Sequence, residues 1–388
     1  MSKTRRNNKK DKNKNKKRKT YRHYQQNLIN LKSTTPYKIR QLSNRINKDL
    51  KNDSYSPTIN KELVTLKSID FIDLMDCNAD NAFKFKEPLQ IGIPKTGKCY
   101  YYYKPEAKQF LLRNLSANKH IDPKKIVPPI QSHSNCWFNS MFVTFFVSDK
   151  GRKFFHFLRQ LMIEGKQQDG TVIPNKLMDA FALLNFGIDA CLTGNEFAYK
   201  LNTNSIIHSI FKAIPVSYKK QYPFIVDIDQ AGNPLLYYIG IINYLHNSSI
   251  QLLLIRDVKN GTWKDEVSKY VHQMAHTPHI IVLEIFDEEA LIFNKKPTSF
   301  SVLDSKYEID SAVVRDISKQ HFCSVLTCEG QEMGYDGASF NRLVDLKWKN
   351  KMNTNMDWEF EGTKDHDGSP LKWNFTRSYQ LLMYYRVK

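Results

Sequence analysis

Apolar residues recur in two different rhythms along this chain. From Pro128 the first half carries them at helical spacing. Cys136–Val147 is apolar nearly all round and predicts a buried helix, and Lys153–Glu164 follows with Phe154, Phe157, Leu158 and Leu161 on one face. Asn175–Asn185 repeats the pattern after Pro174, a good helix start, and Thr203–Phe211 predicts another short helix. The second half breaks into short β-branched or aromatic runs bounded by turn residues. Pro223–Asp227, Leu235–Tyr244, Ile250–Leu254, His279–Ile285, Ala312–Val314, His321–Thr327 and Tyr379–Tyr385 all read as strands. Helices first and an antiparallel sheet later define an α+β domain over residues 128–388, with a cleft where the halves meet.

Upstream, Ile69–Met75 and Gln109–Leu115 carry the apolar density and Tyr100–Tyr103 reads as a strand. Residues 61–127 are therefore expected to be a lead-in segment packed on the main domain. Residues 21–60 are mixed: Tyr21–Tyr24 and Ile39–Leu42 have short-helix potential, but Thr34-Thr35-Pro36 and Ser54-Tyr55-Ser56-Pro57 interrupt them.

Charge sharpens that division. The 388 residues carry a formal +19, yet residues 1–50 hold 17 Lys/Arg against 2 Asp, so the other 338 residues are near neutral at +4. Met1–Thr20 has no apolar residue after Met1, so it cannot offset its ordering entropy by burial. A disordered basic tail over residues 1–60 is expected, able to bind nucleic acid or another polyanion through residues 1–50, or to act as a nuclear-targeting signal. It lacks the apolar middle of a secretory signal, and Leu235–Leu245 is too short and tyrosine-rich to span a bilayer. An intracellular protein of cytoplasm or nucleus is expected, or one packaged in a virion. The Asn- and Lys-rich composition, with many Tyr and Phe, is similar to that of proteins from AT-rich genomes such as those of giant DNA viruses.

Six cysteines in so long a chain do not form a disulfide scaffold, and all except Cys136 are expected to be isolated buried thiols. Cys323 and Cys328 have no second close pair to complete a zinc site. His272, His276 and His279 are interrupted by Pro278, so they read as surface or packing residues and no metal or cofactor is expected.

Cys136 differs by its setting. Ser134 or Asn135 is a plausible N-cap, which puts the thiol in the first turn of a buried helix, where unpaired N–H groups favour a thiolate and can face an oxyanion. Trp137 would pack beside it. It has a distant counterpart in His321-Phe322 and Tyr335-Asp336, and a cysteine, a histidine and an acidic residue are the three parts that thiolate-based acyl transfer needs.

Cys136-Trp137-Phe138-Asn139-Ser140 resembles the nucleophile box of the papain-like ubiquitin-specific proteases. Thr277–Ile285 is similar to that family's central strand, Tyr307–Val314 to the strand leading into the histidine box, His321-Phe322 to that box, Tyr335-Asp336 to the aromatic and acid, and Ser378–Arg386 to the closing strand. The resemblance covers residues 128–388. It implies a papain-like fold, a helical subdomain followed by an antiparallel sheet subdomain, and thiol-dependent hydrolysis after the C-terminal glycine of ubiquitin or a ubiquitin-like protein.

Before the cysteine the family has an Asn five residues upstream, a glycine between, and Asn-Thr immediately ahead. Here the loop reads Gln131-Ser132-His133-Ser134-Asn135, which puts Gln131 in the oxyanion-stabilising position and predicts a different loop path. His133 is not read as a second base, because a neighbour across a loop–helix junction points elsewhere. Gly337 stands where a second acid is common, and the two Cys-x-x-Cys pairs of a zinc ribbon are absent. A ubiquitin-like or viral polyprotein-type substrate fits the residues nearly as well. Lys347–Trp373, with Trp348, Trp358 and Trp373 among mixed charges, reads as an insertion near the cleft or an aromatic surface for a partner protein. The competing expectation is a weak or inactive protease-like fold serving as a virion structural or scaffolding protein, anchored through its basic tail, with viral capsid or core proteins among its partners.

Overall fold

The computed structural model describes Cys77 and residues 87–387, apart from 94–95, 118–120, 246–250, 257, 259–261, 275–276 and 294. The expectations for the basic tail, for residues 21–60, for Ile69–Met75 and for His276 lie outside the described residues.

A hairpin of β1 (Gln90–Ile93) and β2 (Lys98–Tyr101) leads into α1 (Pro105–Ala117), so Gln109–Leu115 is helical. Tyr102, after β2, donates to Asp179 at 2.6 Å, and Lys108 of α1 donates to the Glu164 carbonyl at 3.0 Å. Cys99 of β2 is joined to Cys77 in a disulfide. That corrects the reading of both as isolated thiols: their Cα atoms stand 6.0 Å apart, within bridging range.

The helical half follows: α2 (Cys136–Phe146), α3 (Asp149–Phe154), α4 (His156–Glu164), α5 (Asn175–Thr193), α6 (Thr203–Ala213), α7 (Val216–Gln221) and α8 (Pro234–Tyr244). Two expectations for this stretch are overturned. Leu235–Tyr244 is helix α8, not a strand: Asn233 caps it by accepting from Leu236 N at 2.9 Å, and Pro234 occupies its first position. Being apolar on all sides, it fits a fully buried helix as well as a buried strand, and the cap decides. Pro223–Asp227 is irregular, and forms no strand. The helix expected over Lys153–Glu164 breaks at Phe155, between α3 and α4.

The sheet half contains β3 (Leu252–Ile255), α9 (Trp263–Met274), β4 (Ile280–Ile285), α10 (Asp287–Ile292), β5 (Ser299–Val302), β6 (Ser305–Arg315), β7 (Phe322–Cys328), β8 (Gln331–Tyr335), β9 (Leu343–Asp345) and β10 (Gln380–Arg386). Among the described residues they form an eight-stranded sheet in the order β3-β4-β10-β6-β7-β8-β9, with β5 beside β6. Every pair is antiparallel except β3 with β4, so the expected antiparallel sheet is mixed at one edge.

Both faces of this sheet are covered, which explains why its central strands read as continuous apolar runs. Val282, Val313, Leu326, Leu381 and Met383 face the helical half, in one core with Phe142, Phe146 and Tyr238. Their strand neighbours Ile281, Leu283, Ala312, Val314, Val325 and Leu382 face a second core with Trp263, Trp348 and Trp373. Each large side chain so buried contributes about 1.5–3 kcal/mol. Trp348, Trp358 and Trp373 are therefore core residues, and the reading of them as an exposed partner surface is corrected. The result is an α+β domain, helical half first, as expected of a papain-like fold. No helix among the described residues is long and apolar enough to cross a membrane.

Candidate active site

Helix α2 begins at Cys136, so its first residue carries the sulfur. Asn135 occupies the cap position, but its side chain does not cap the helix. Its Oδ1 accepts from Ser132 N at 3.2 Å, and its Nδ2 donates to Thr203 Oγ1 at 2.7 Å. Thr203 passes the chain on to Asn139 Oδ1 at 2.8 Å, and Asn139 Nδ2 closes it on the Ile130 carbonyl at 3.2 Å. Asn204 adds bonds to the carbonyl and hydroxyl of Ser132 at 2.8 and 2.9 Å. This buried network fixes the pre-cysteine loop to α2 and α6. The Cys136 and Trp137 N–H groups, in the first turn, have no acceptor within the helix. Trp137 packs its ring against Gly232, where a Cβ would stand 2.4 Å away, and against Tyr237 at 4.9 Å.

The other half delivers His321. Asp316 shapes the β6–β7 turn: its Oδ1 accepts from His321 N at 2.6 Å and from Gln320 N at 2.7 Å, its Oδ2 accepts from Ser318 N at 2.7 Å, and its own N–H donates to the His321 carbonyl at 2.8 Å. The ring edge-packs on buried Trp373 at 5.8 Å. Nε2 donates to Asp336 Oδ1 at 2.6 Å, and Cys136 lies near enough to the imidazole to favour its protonated form.

Asp336, fully buried at the end of β8, also accepts from Ala338 N at 3.1 Å on Oδ1 and from the Thr363 hydroxyl on Oδ2. Burial alone would push the His321 pKa down, but the hydrogen bonds and charges of Asp336 and Cys136 outweigh it and raise it to about 10. A protonated imidazole against a sulfur is the arrangement that supports a thiolate nucleophile.

The acid hairpin also holds the loop ahead of the cysteine. Tyr335 Oη donates to the Pro129 carbonyl at 2.7 Å, Arg342 Nη1 to the Pro128 carbonyl at 2.6 Å, and Gln131 N to the Gly337 carbonyl at 2.8 Å. A Cβ on Gly337 would lie 2.8 Å from Gln131 N and 2.8 Å from Tyr335 Oη, so only glycine fits.

His321 and Asp336 are thus joined by a hydrogen bond, with Cys136 beside the imidazole. Gln131 stands on the adjoining loop with Nε2 turned to the His133 carbonyl at 3.5 Å, the long limit of a hydrogen bond, so releasing it toward an oxyanion costs little. His133 is exposed and holds φ 57°, the left-handed region that glycine enters without cost. A His133→Gly variant should therefore gain about 0.5–1 kcal/mol of stability, read as a higher denaturant midpoint at unchanged slope. A lower midpoint would count against strain at this position.

Sequence reasoning did not find Asp316, Thr363, Trp373 or Ser140 as supports of the site. Asp316-Ile317-Ser318 carries the signal of an Asx turn shortly before His321, and Trp373 lies in the segment singled out near the cleft. Ser140 Oγ donates to the Phe322 carbonyl at 3.1 Å. Among the described residues no group of three His, Cys, Asp or Glu side chains is placed to hold a metal ion.

No family model matches the chain, and no curated protein does. Solved structures do. A chain of the SAGA DUB module Ubp8/Sgf11/Sus1/Sgf73 bound to monoubiquitin is similar at a TM-score of 0.42 and 9% identity, over 90% of this chain and 96% of that one. The same module bound to ubiquitin aldehyde is similar at 0.43 and 9%, over 90% and 95%. An essential yeast splicing factor is similar at 0.39 and 10%, over 81% and 76%. At such scores the functional argument falls to this chain's own geometry.

Proposed function

We propose that this chain is a thiol hydrolase that cleaves the peptide or isopeptide bond after the C-terminal glycine of ubiquitin or a ubiquitin-like protein. The observation that carries the reading is the His321 imidazole, bonded through Nε2 to the buried Asp336 carboxylate and standing near enough to Cys136 to be affected by it.

In this reading the Cys136 sulfur attacks the glycyl carbonyl carbon. His321 holds the thiol proton and gives it to the leaving amine, so the C–N bond breaks and a thioester remains. Water, deprotonated by His321, then attacks the thioester, releasing the carboxylate and returning the thiol. Asp336 accepts from Nε2 throughout and keeps Nδ1 facing the sulfur. The Cys136 N–H and the Gln131 amide supply donors to the carbonyl oxygen as it becomes anionic.

A ubiquitin or ubiquitin-like chain ending in an electrophile should be captured as a covalent adduct on Cys136, and Cys136→Ala should abolish it. Mass spectrometry locates the adduct. Absence of any adduct across a panel of ubiquitin and ubiquitin-like tails would defeat the reading and favour the second one.

That second reading, an inactive protease-like fold with a scaffolding role in a virion, draws on the Gln131 amide facing the His133 carbonyl. It expects association with capsid or core proteins that is indifferent to Cys136→Ala. Under either reading residues 1–50, at net +15, are a polyanion-binding arm.

A further inference from the structure

Three hydroxyl residues follow Cys136 at intervals of four: Ser140, Thr144 and Ser148. A hydroxyl within a helix has a convenient acceptor in the carbonyl four residues back. Ser148 takes it, donating to Thr144 O at 2.7 Å, and Thr144 takes it, donating to Ser140 O at 2.9 Å. Ser140 does not. It sits one turn beyond Cys136 on the same helix face, fully buried, and donates across the domain to the Phe322 carbonyl at 3.1 Å. Phe322 is the residue after His321, so this bond joins the helix of the sulfur to the strand of the imidazole.

We propose that Ser140 is a positioning residue, whose bond to the Phe322 carbonyl sets where His321 stands relative to Cys136. The inference rests on the reading of Cys136 as the nucleophile. Asp316 fixes the turn before His321 and Asp336 fixes the ring's outer nitrogen, but both belong to the sheet half. They hold the imidazole firmly within that half. Ser140 is the hydroxyl from α2 that holds the same strand from the nucleophile's side. Without it the two halves still pack through apolar contact, which is non-directional and tolerates small displacements. The separation of sulfur and imidazole does not tolerate them.

The test uses the full chain and iodoacetamide, with modification of Cys136 followed by mass spectrometry from pH 6.5 to 10. Cys191, Cys323 and Cys328 have no exposed surface while Cys136 keeps 9%, and mass spectrometry reads Cys136 by its own peptide. Ser140→Ala should lower the Cys136 rate about fivefold at pH 6.5, the loss of one hydrogen bond's worth of alignment. The deficit should vanish toward pH 10, where thiols ionise without an imidazole partner.

Ser140→Thr and Ser140→Val form a second pair, of equal shape and differing in the hydroxyl. Thr should stay within about twofold of the parent at pH 6.5, and Val should fall with Ala. Thr144→Val removes a hydroxyl bond of the same helix and should leave the pH profile unmoved.

Superimposable profiles for Ser140→Ala and the parent would overturn the proposal. So would an equal effect of Thr144→Val, or Thr and Val behaving alike at position 140. The readout needs no ubiquitin, so failure of the ubiquitin-tail adduct with a Ser140 effect present would defeat the proposed substrate and leave this inference standing.

Discussion

His321→Ala should lower the rate at which Cys136 is acylated by a ubiquitin-tail substrate by roughly 10²–10⁴-fold at neutral pH, the range a positioned acid–base group contributes. The loss has two sources. The imidazole that holds the thiol proton is gone, and so is the proton donor for the departing amine. The structure also says what else the substitution disturbs. Asp336 is fully buried and would lose the ring that donates to it at 2.6 Å, keeping only the Ala338 N–H and the Thr363 hydroxyl. An unpaired buried acceptor costs about 1–3 kcal/mol, so some stability goes with the activity. His321→Gln separates the effects, since its amide can still donate to Asp336 but cannot cycle a proton. Both variants should be slow while Gln melts closer to the parent. An Ala variant acylated within threefold of the parent would remove His321 from the mechanism.

Asp336→Asn should cost about 10²–10⁴-fold in the same assay, by letting the imidazole take the wrong tautomer. It should also move a titration. Burial presses the His321 pKa downward, while Asp336 and Cys136 raise it to about 10. Removing the carboxylate's charge leaves burial less opposed, so the ring should lose its proton at lower pH, and the alkaline limit of the reaction should fall with it. The stability linkage has the same sign. A folded-state pKa raised above the ordinary 6.5 makes protonation favour the fold. That contribution is fully present below about 6.5 and is lost as the pH rises through about 10. In the Asn variant the window narrows from its upper end. Imidazole titration by NMR, beside melting temperatures from pH 6 to 10, reads both effects. A ring that still titrates near the parent value would show that Asp336 is not what raises it.

The candidate site was legible through the order of five elements resembling one family, since the cysteine, the histidine and the aspartate each had an ordinary structural reading when taken singly. What holds them in place was not legible. Thr363 reaches Asp336 from a segment with no periodicity, and Trp373 reaches His321 from the same irregular stretch. Ser140 looks like any helix serine until its acceptor is known. Among the elements, α2 and the central strands were readable from apolar density. Helix α8 was not, because Leu235–Tyr244 has no polar face to betray a period, and the signal lay in Asn233-Pro234 ahead of it. The Cys77–Cys99 bridge was invisible for a related reason: two cysteines far apart in sequence say nothing until a hairpin brings one of them round.

Gly337 carries a consequence for how this site can change. The acid's turn and the loop ahead of the sulfur touch backbone to backbone there, with no room for even a methyl group. A second carboxylate at 337 is thus closed to this chain by single substitution, whatever it would offer catalysis. It becomes reachable only after residues 128–131 have drawn back, and that retreat would first loosen the approach to Cys136. The two segments can be exchanged together, as a matched cassette, but neither can be swapped alone.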